Sequence, residues 1–182
     1  MTRASHATLA ALLLASAAIS PVNAADGFYI GGGVGTTRVE ESVNGGTLDA
    51  DDTAWKGFIG WRFDVIPLID LAVEGAYTEF GKPSQNVGGQ EARLKLSGPS
   101  LAGLLIFPLG PIDLFGKAGW LWWDSERTIG GVSSERTGSD SFWGAGIGFR
   151  IWKIGVRAEY ERFQINDVDR MELWSLSALF QF

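Results

Sequence analysis

Glu74, Lys117, Arg157 and Glu159 are the residues of this sequence whose types and spacing most invite chemistry. Two carboxylates and two cations turned into one interior have to pair, because an isolated buried charge is costly. The usual catalytic apparatus is thin. The chain has one histidine, His6, and no cysteine. Gly98-Pro99-Ser100-Leu101-Ala102 echoes a nucleophile elbow, but a serine nucleophile needs a base, most often histidine. Ser100 therefore reads as an ordinary interior serine. The glycine clusters Gly31–Gly35 and Gly144–Gly148 lack the G-x-G-x-x-G order and open no helix, so they do not read as phosphate loops. Asp49, Asp51 and Asp52, with Asp167 and Asp169, carry enough charge for a divalent cation. Ala54 stands where a calcium loop requires glycine, and a solvated acidic rim is the simpler reading. No catalytic residue, metal site or cofactor is expected, and the chain does not read as an enzyme.

The elements that must position the four charges begin after an export signal. Arg3, an apolar run from Ala7 to Ile19 and the small-residue segment Pro21-Val22-Asn23-Ala24 have the form of a secretory signal peptide cut after Ala24. The apolar run is too short to span a bilayer as a helix. Residues 1–24 are thus read as a signal peptide and 25–182 as one domain. Removing Arg3 takes the formal charge from −6 to −7, which argues against nucleic acid as a partner. With His6 inside the signal, the mature chain holds neither histidine nor cysteine.

Residues 25–182 resolve into eight segments of about ten residues, each alternating at period two. They are Phe28–Val39, Ala54–Phe63, Leu68–Phe80, Arg93–Phe107, Ile112–Trp123, Ser141–Ile151, Ile154–Phe163 and Met171–Phe182. One face of each is apolar: Trp143, Ala145, Ile147, Phe149 and Ile151, for example, alternate with Gly144, Gly146, Gly148 and Arg150. The other faces hold glycines, serines and charges, Glu74, Lys117, Arg157 and Glu159 among them. Glycine is a poor choice for a solvated surface and a good one for a narrow lumen, where it makes room for Tyr29, Phe58, Phe115 and Trp123. The connections Asp64–Pro67, Pro108–Pro111 and Trp152-Lys153 are short, whereas those after the first, third and fifth segments are long and polar. Short turns alternating with longer loops, and ten-residue strands, describe an all-β, eight-stranded antiparallel up-and-down transmembrane barrel with its apolar face to lipid. Two aromatic belts are expected on that face. Trp55, Tyr77, Trp120, Trp122, Trp143, Tyr160 and Trp174 form the external one, and Phe63, Phe107, Phe149, Phe180 and Phe182 the periplasmic one.

Five motifs in this order resemble the OmpA-like family of eight-stranded outer-membrane barrels, across essentially all of residues 26–182. They are GFYIGGGVG at Gly27–Gly35, LAVEGAYTEFG at Leu71–Gly81, DLFGKAGW at Asp113–Trp120, RAEYERF at Arg157–Phe163 and the strand ending in Phe182. The resemblance implies a bacterial outer-membrane location and a transmembrane barrel; the sequence departs from the family in showing no periplasmic peptidoglycan-binding domain after Phe182, so a cell-wall anchoring role is not expected. The resemblance also implies that Phe180 and Phe182 serve as the signal read by the barrel-assembly machinery. In the family an internal salt-bridge cluster interrupts the water path and can act as a gate; Glu74 and Arg157 match its positions, while Leu104 and Gly148 stand at two others. Lipases, lipid A deacylases and aspartate–histidine proteases of this architecture use histidine, which the mature chain lacks. Arg93, Lys95 and Arg162 face outward near the external rim, where lipopolysaccharide phosphates would lie.

These readings give a monomer, surrounded by outer-membrane lipid and lipopolysaccharide, with a structural role and at most a narrow or gated path for small solutes. The alternative is a surface interaction protein, adhesin-like, acting through its external loops.

Overall fold

The computed structural model describes residues 27–43, 46–81, 84–87, 90–129, 132–164 and 170–182. The proposed signal peptide lies outside them, as do Asp167 and Asp169. The described chain runs β1 Gly27–Val43, β2 Gly46–Ile66, β3 Ile69–Glu79, β4 Ser84–Val87, β5 Gln90–Leu109, β6 Ile112–Ile129, β7 Val132–Ile151, β8 Ile154–Phe163 and β9 Arg170–Gln181. Each strand pairs antiparallel with its neighbour in the sequence, with two exceptions. β3 skips the short β4 to pair with β5, and β9 returns to β1 and closes the sheet. Eight strands therefore form the barrel, and β4 extends a hairpin on β5 above the end of β3.

Period-two alternation settles which side chain goes where. Tyr29, Phe58, Glu74, Lys117, Arg157 and Glu159 are buried inside, while Ile30, Trp61, Val73, Leu105, Ile147 and Leu176 are exposed on the outer wall. Nothing but a lipid environment accommodates that inversion, since about thirty large apolar side chains face outward. The expected belts lie on this wall. Trp55, Tyr77, Trp120, Trp122, Trp143 and Trp174 are exposed towards one end, Phe63, Phe107, Phe149, Phe180 and Phe182 towards the other. Tyr160 packs edge to face with Trp143, 5.9 Å between centroids, and against Trp174 at 4.8 Å.

Glycines floor the interior where aromatics cross it. A methyl group on Gly60 would strike the Tyr29 ring, on Gly31 the Phe58 ring, on Gly146 the Phe115 ring and on Gly138 the Trp123 ring. The closing seam is tighter still: methyl groups on Gly33 and Gly35 would run into the backbone and side chains of β9 at Leu176–Ser177 and Trp174–Ser175.

The external connections differ from the loops expected. β3, β8 and β9 have 11, 10 and 12 residues, the length that crosses a bilayer. β1, β2, β5, β6 and β7 have 17, 21, 20, 18 and 20. The links read as loops after the first and fifth segments are hairpin strands, paired as far as Val43 with Gly46 and Ile129 with Val132. Part of the link after the third segment is β4. Beyond the membrane both faces of a strand meet water, so the apolar alternation that marks a strand disappears while the ladder continues.

Candidate functional site: the lumen

Three strands deliver the four charges singled out in the sequence, and the structure brings all four together. Arg157, from β8, donates from one terminal nitrogen to Glu74 Oε2 on β3 and from the other to Glu159 Oε1, each at 2.9 Å. Lys117, from β6, lies 3.6 Å from Glu74 and 3.5 Å from Glu159. Two further members had been left out. Lys56 on β2 reaches across to Glu159 and donates to Glu161 at 2.8 Å, and Lys117 contacts Glu161 at 2.6 Å. Lys56, Lys117 and Arg157 thus face Glu74, Glu159 and Glu161, three against three. The Tyr29 hydroxyl adds a donor to Glu74 at 2.9 Å. Pairing is what makes this burial tolerable, since removing water from six charges is repaid only by short contacts in good geometry.

Aromatic rings enclose the layer. The Arg157 guanidinium lies 4.5 Å from the Phe58 centroid and 5.1 Å from that of Phe115, distances at which a ring face attracts a cation. On the external side Phe163 meets Phe80 edge-on at 5.1 Å and stacks on Phe142 at 5.2 Å. With the buried Leu121, Met171 and Leu173 they form an apolar layer across the lumen. Lys117 is 5.8 Å from the Phe142 ring, so the two layers touch.

A second ring of charge stands nearer the periplasmic end and was not foreseen. Arg62 donates to Asp70 at 2.7 Å and forks onto both oxygens of Asp113 at 2.9 and 3.1 Å. Arg150 lies 3.6 Å from Asp113 and donates to Gln181 at 2.7 Å. Between the rings is a cavity of about 40 Å³, bounded by Arg62 and Asp113 below and by Tyr29, Phe115 and Arg157 above. That is room for one or a few waters, not for a substrate. Leu104 is buried in the lumen and lines the cavity as an apolar wall.

The other sequence-derived residues scatter. Ser100 faces Ala76 and Leu121 across its two ladders. Arg162 is on the outer wall between Trp143 and Glu172. The backbones of Arg93 and Lys95 belong to β5, but their side chains, like those of Asp49 and Asp51, lie outside the described residues. Phe180 and Phe182 pack together at 5.1 Å on the outer wall, and Phe182 also meets Phe28 at 5.5 Å.

A closed eight-stranded barrel with lipid-facing apolar walls and a filled, charged lumen is an outer-membrane architecture. The sequence matches the outer membrane protein beta-barrel domain family over residues 7–182, and the chain belongs to that family. It is a protein of the bacterial outer membrane. No curated relative matches the sequence. Among solved structures it is similar to Ail, the attachment invasion locus protein of Yersinia pestis, with 22% identity and a TM-score of 0.64, covering 86% of this chain and 99% of that one. Neisserial surface protein A is similar at 16% identity and a TM-score of 0.65, covering 85% and 97%. The outer membrane enzyme PagL is similar at 16% and 0.51, covering 85% and 99%. At these identities the likeness is one of fold, and that fold serves barrels with and without catalysis.

Proposed function

We propose that this protein is a structural barrel of the outer membrane whose lumen is shut, and that it is not an enzyme. The observation that carries the reading is the double obstruction of the lumen: six paired charges, then the layer of Phe80, Phe142 and Phe163. A gated path would require the charges to exchange partners and the phenylalanines to move aside. Single-channel recording of refolded protein tests this. The parent should show no steady conductance, and Glu74→Ala alone should stay closed because the aromatic layer remains. Glu74→Ala combined with Phe163→Ala should conduct. Steady conductance in the parent would overturn the shut-lumen reading.

The tall hairpins β1–β2 and β6–β7 favour a second reading, surface interaction. They carry about seven to eleven residues per strand beyond the roughly ten a bilayer crossing needs, and the similar Ail is an attachment invasion protein by name. Replacing both hairpin ends with short turns should abolish adhesion of expressing cells if this reading holds and leave it unchanged if the barrel is purely structural. In either case we propose as partners outer-membrane lipid, lipopolysaccharide phosphates at Arg93, Lys95 and Arg162, and the barrel-assembly machinery at Phe180 and Phe182. A monomer satisfies all of these contacts.

A further inference from the structure

The three periplasmic turns are apolar, and the dimensions of the barrel bring them to the membrane boundary. Val65, Ile66 and Leu68 form the first turn, Leu109 and Ile112 flank the second, and Ile151, Trp152 and Ile154 form the third. All are exposed, Trp152 most of all at 83%. The only charges in these turns are Asp64 and Lys153. A rim that stood free in the periplasm would be expected to be polar.

Counting down the wall gives the same answer. A strand rises about 3.3 Å per residue, and a tilt of about 40° leaves roughly 2.5 Å of height. From Trp143, in the external belt, to Phe149 is six residues along β7, about 15 Å, well short of the apolar band of about 25 Å that such barrels carry. From Trp143 to Trp152 is nine residues, about 23 Å by the same arithmetic. On β2, the step from Trp55 to Phe63 is about 20 Å, and the step to Ile66 about 28 Å. The band reaches its full height only if it includes the turns.

Trp152 adds an independent mark. It is the one non-glycine residue among those described with positive φ, at 57°. It occupies the first position of a two-residue hairpin turn between the paired Ile151 and Ile154, where glycine is the usual choice. A bulky side chain there is strained, and it makes no use of the barrel interior. Lys153 places its ammonium 6.0 Å from the Trp152 ring and 6.0 Å from that of Phe180. An aromatic with a neighbouring cation is the pattern of a residue seated at a lipid headgroup.

We propose that the periplasmic turns form a membrane-contacting ring set in the headgroup layer of the inner leaflet, with Trp152 as its anchor and Lys153 meeting phospholipid phosphates. The occupant is lipid because the turns continue the lipid-facing wall without a break. The chain has no cysteine, so single nitroxide labels are readily placed. Trp152→Cys, Ile66→Cys and Leu109→Cys are labelled in phosphatidylethanolamine–phosphatidylglycerol vesicles, with Val73→Cys as the lipid reference and Arg136→Cys as the aqueous one. The ratio of oxygen to nickel-chelate collisions at the turns should exceed that at Arg136 and stay below that at Val73. Turn labels as open to nickel chelate as Arg136 would overturn the proposal and leave the ring as a docking surface for a periplasmic protein. Should Trp152→Cys fail to fold, the Ile66 and Leu109 labels carry the same decision. Trp152→Gly supplies a second reading with opposite signs. It relieves the backbone, so it should stabilise a turn standing in water, whereas loss of an anchor should lower stability in vesicles.

Discussion

The lumen holds two rings of charge built to different standards. In the central ring the side chains of Lys56, Glu74, Lys117, Arg157, Glu159 and Glu161 are at most 8% exposed, and Glu159 is wholly enclosed with three cations around it. In the periplasmic ring Asp113 and Arg150 are 13% and 20% exposed, and one arginine fork carries much of the bonding. Water can stand in for a missing partner at Asp113 and Arg150, whereas Arg62 and Asp70 are as enclosed as the central ring. Enclosure, more than the count of contacts, should therefore set what each charge is worth.

Ranked substitutions can break that comparison. Glu159→Ala strands Lys56, Lys117 and Arg157 against two carboxylates. It should cost about 3–5 kcal/mol, as when one partner of a buried pair is lost, read from urea unfolding in lipid vesicles. Glu74→Ala and Arg157→Ala should each destabilise, and the double variant should be less unstable than their sum by about 0.5–3 kcal/mol. Strictly additive effects would show that the central ring is not one network. Asp113→Ala, at the wetter ring, should cost less, about 1.5–3 kcal/mol for hydrogen bonds to a charged group. An effect equal to that of Glu159→Ala would remove the distinction between the rings. Arg162→Ala, on the outer wall, should change stability by no more than about 1 kcal/mol.

The strand faces could be read from the sequence because lipid and lumen demand opposite side chains at alternate positions. Wherever both environments act, as at Trp143–Ile151, alternation and structure agree. The central ring was half legible. Lys56 and Glu161 had the correct inward parity, but parity says nothing about height. Stagger between tilted strands sets height, and only pairing such as Lys56 with Gly33 and Thr78 reveals it. The periplasmic ring was missed for the same reason: Arg62 and Asp70 had the inward parity, but only the pairing of β2 with β3 and the reach of Arg62 to Asp113 bring these charges to one level. The external strand extensions escaped because water on both faces erases the signal.

The glycine seam also bears on the order of assembly. Every hairpin joins neighbours in the sequence and closes a short loop, whereas β1 and β9 must meet across nearly the whole domain. Local pairs form readily, and the distant pair has to await them. A contact with little room for error, Gly33 and Gly35 against β9, is therefore also the last to be made. An added methyl group there would act on a nearly complete sheet that cannot shut. Its signature would be a long-lived open intermediate with an unpaired edge, prone to pair with other chains.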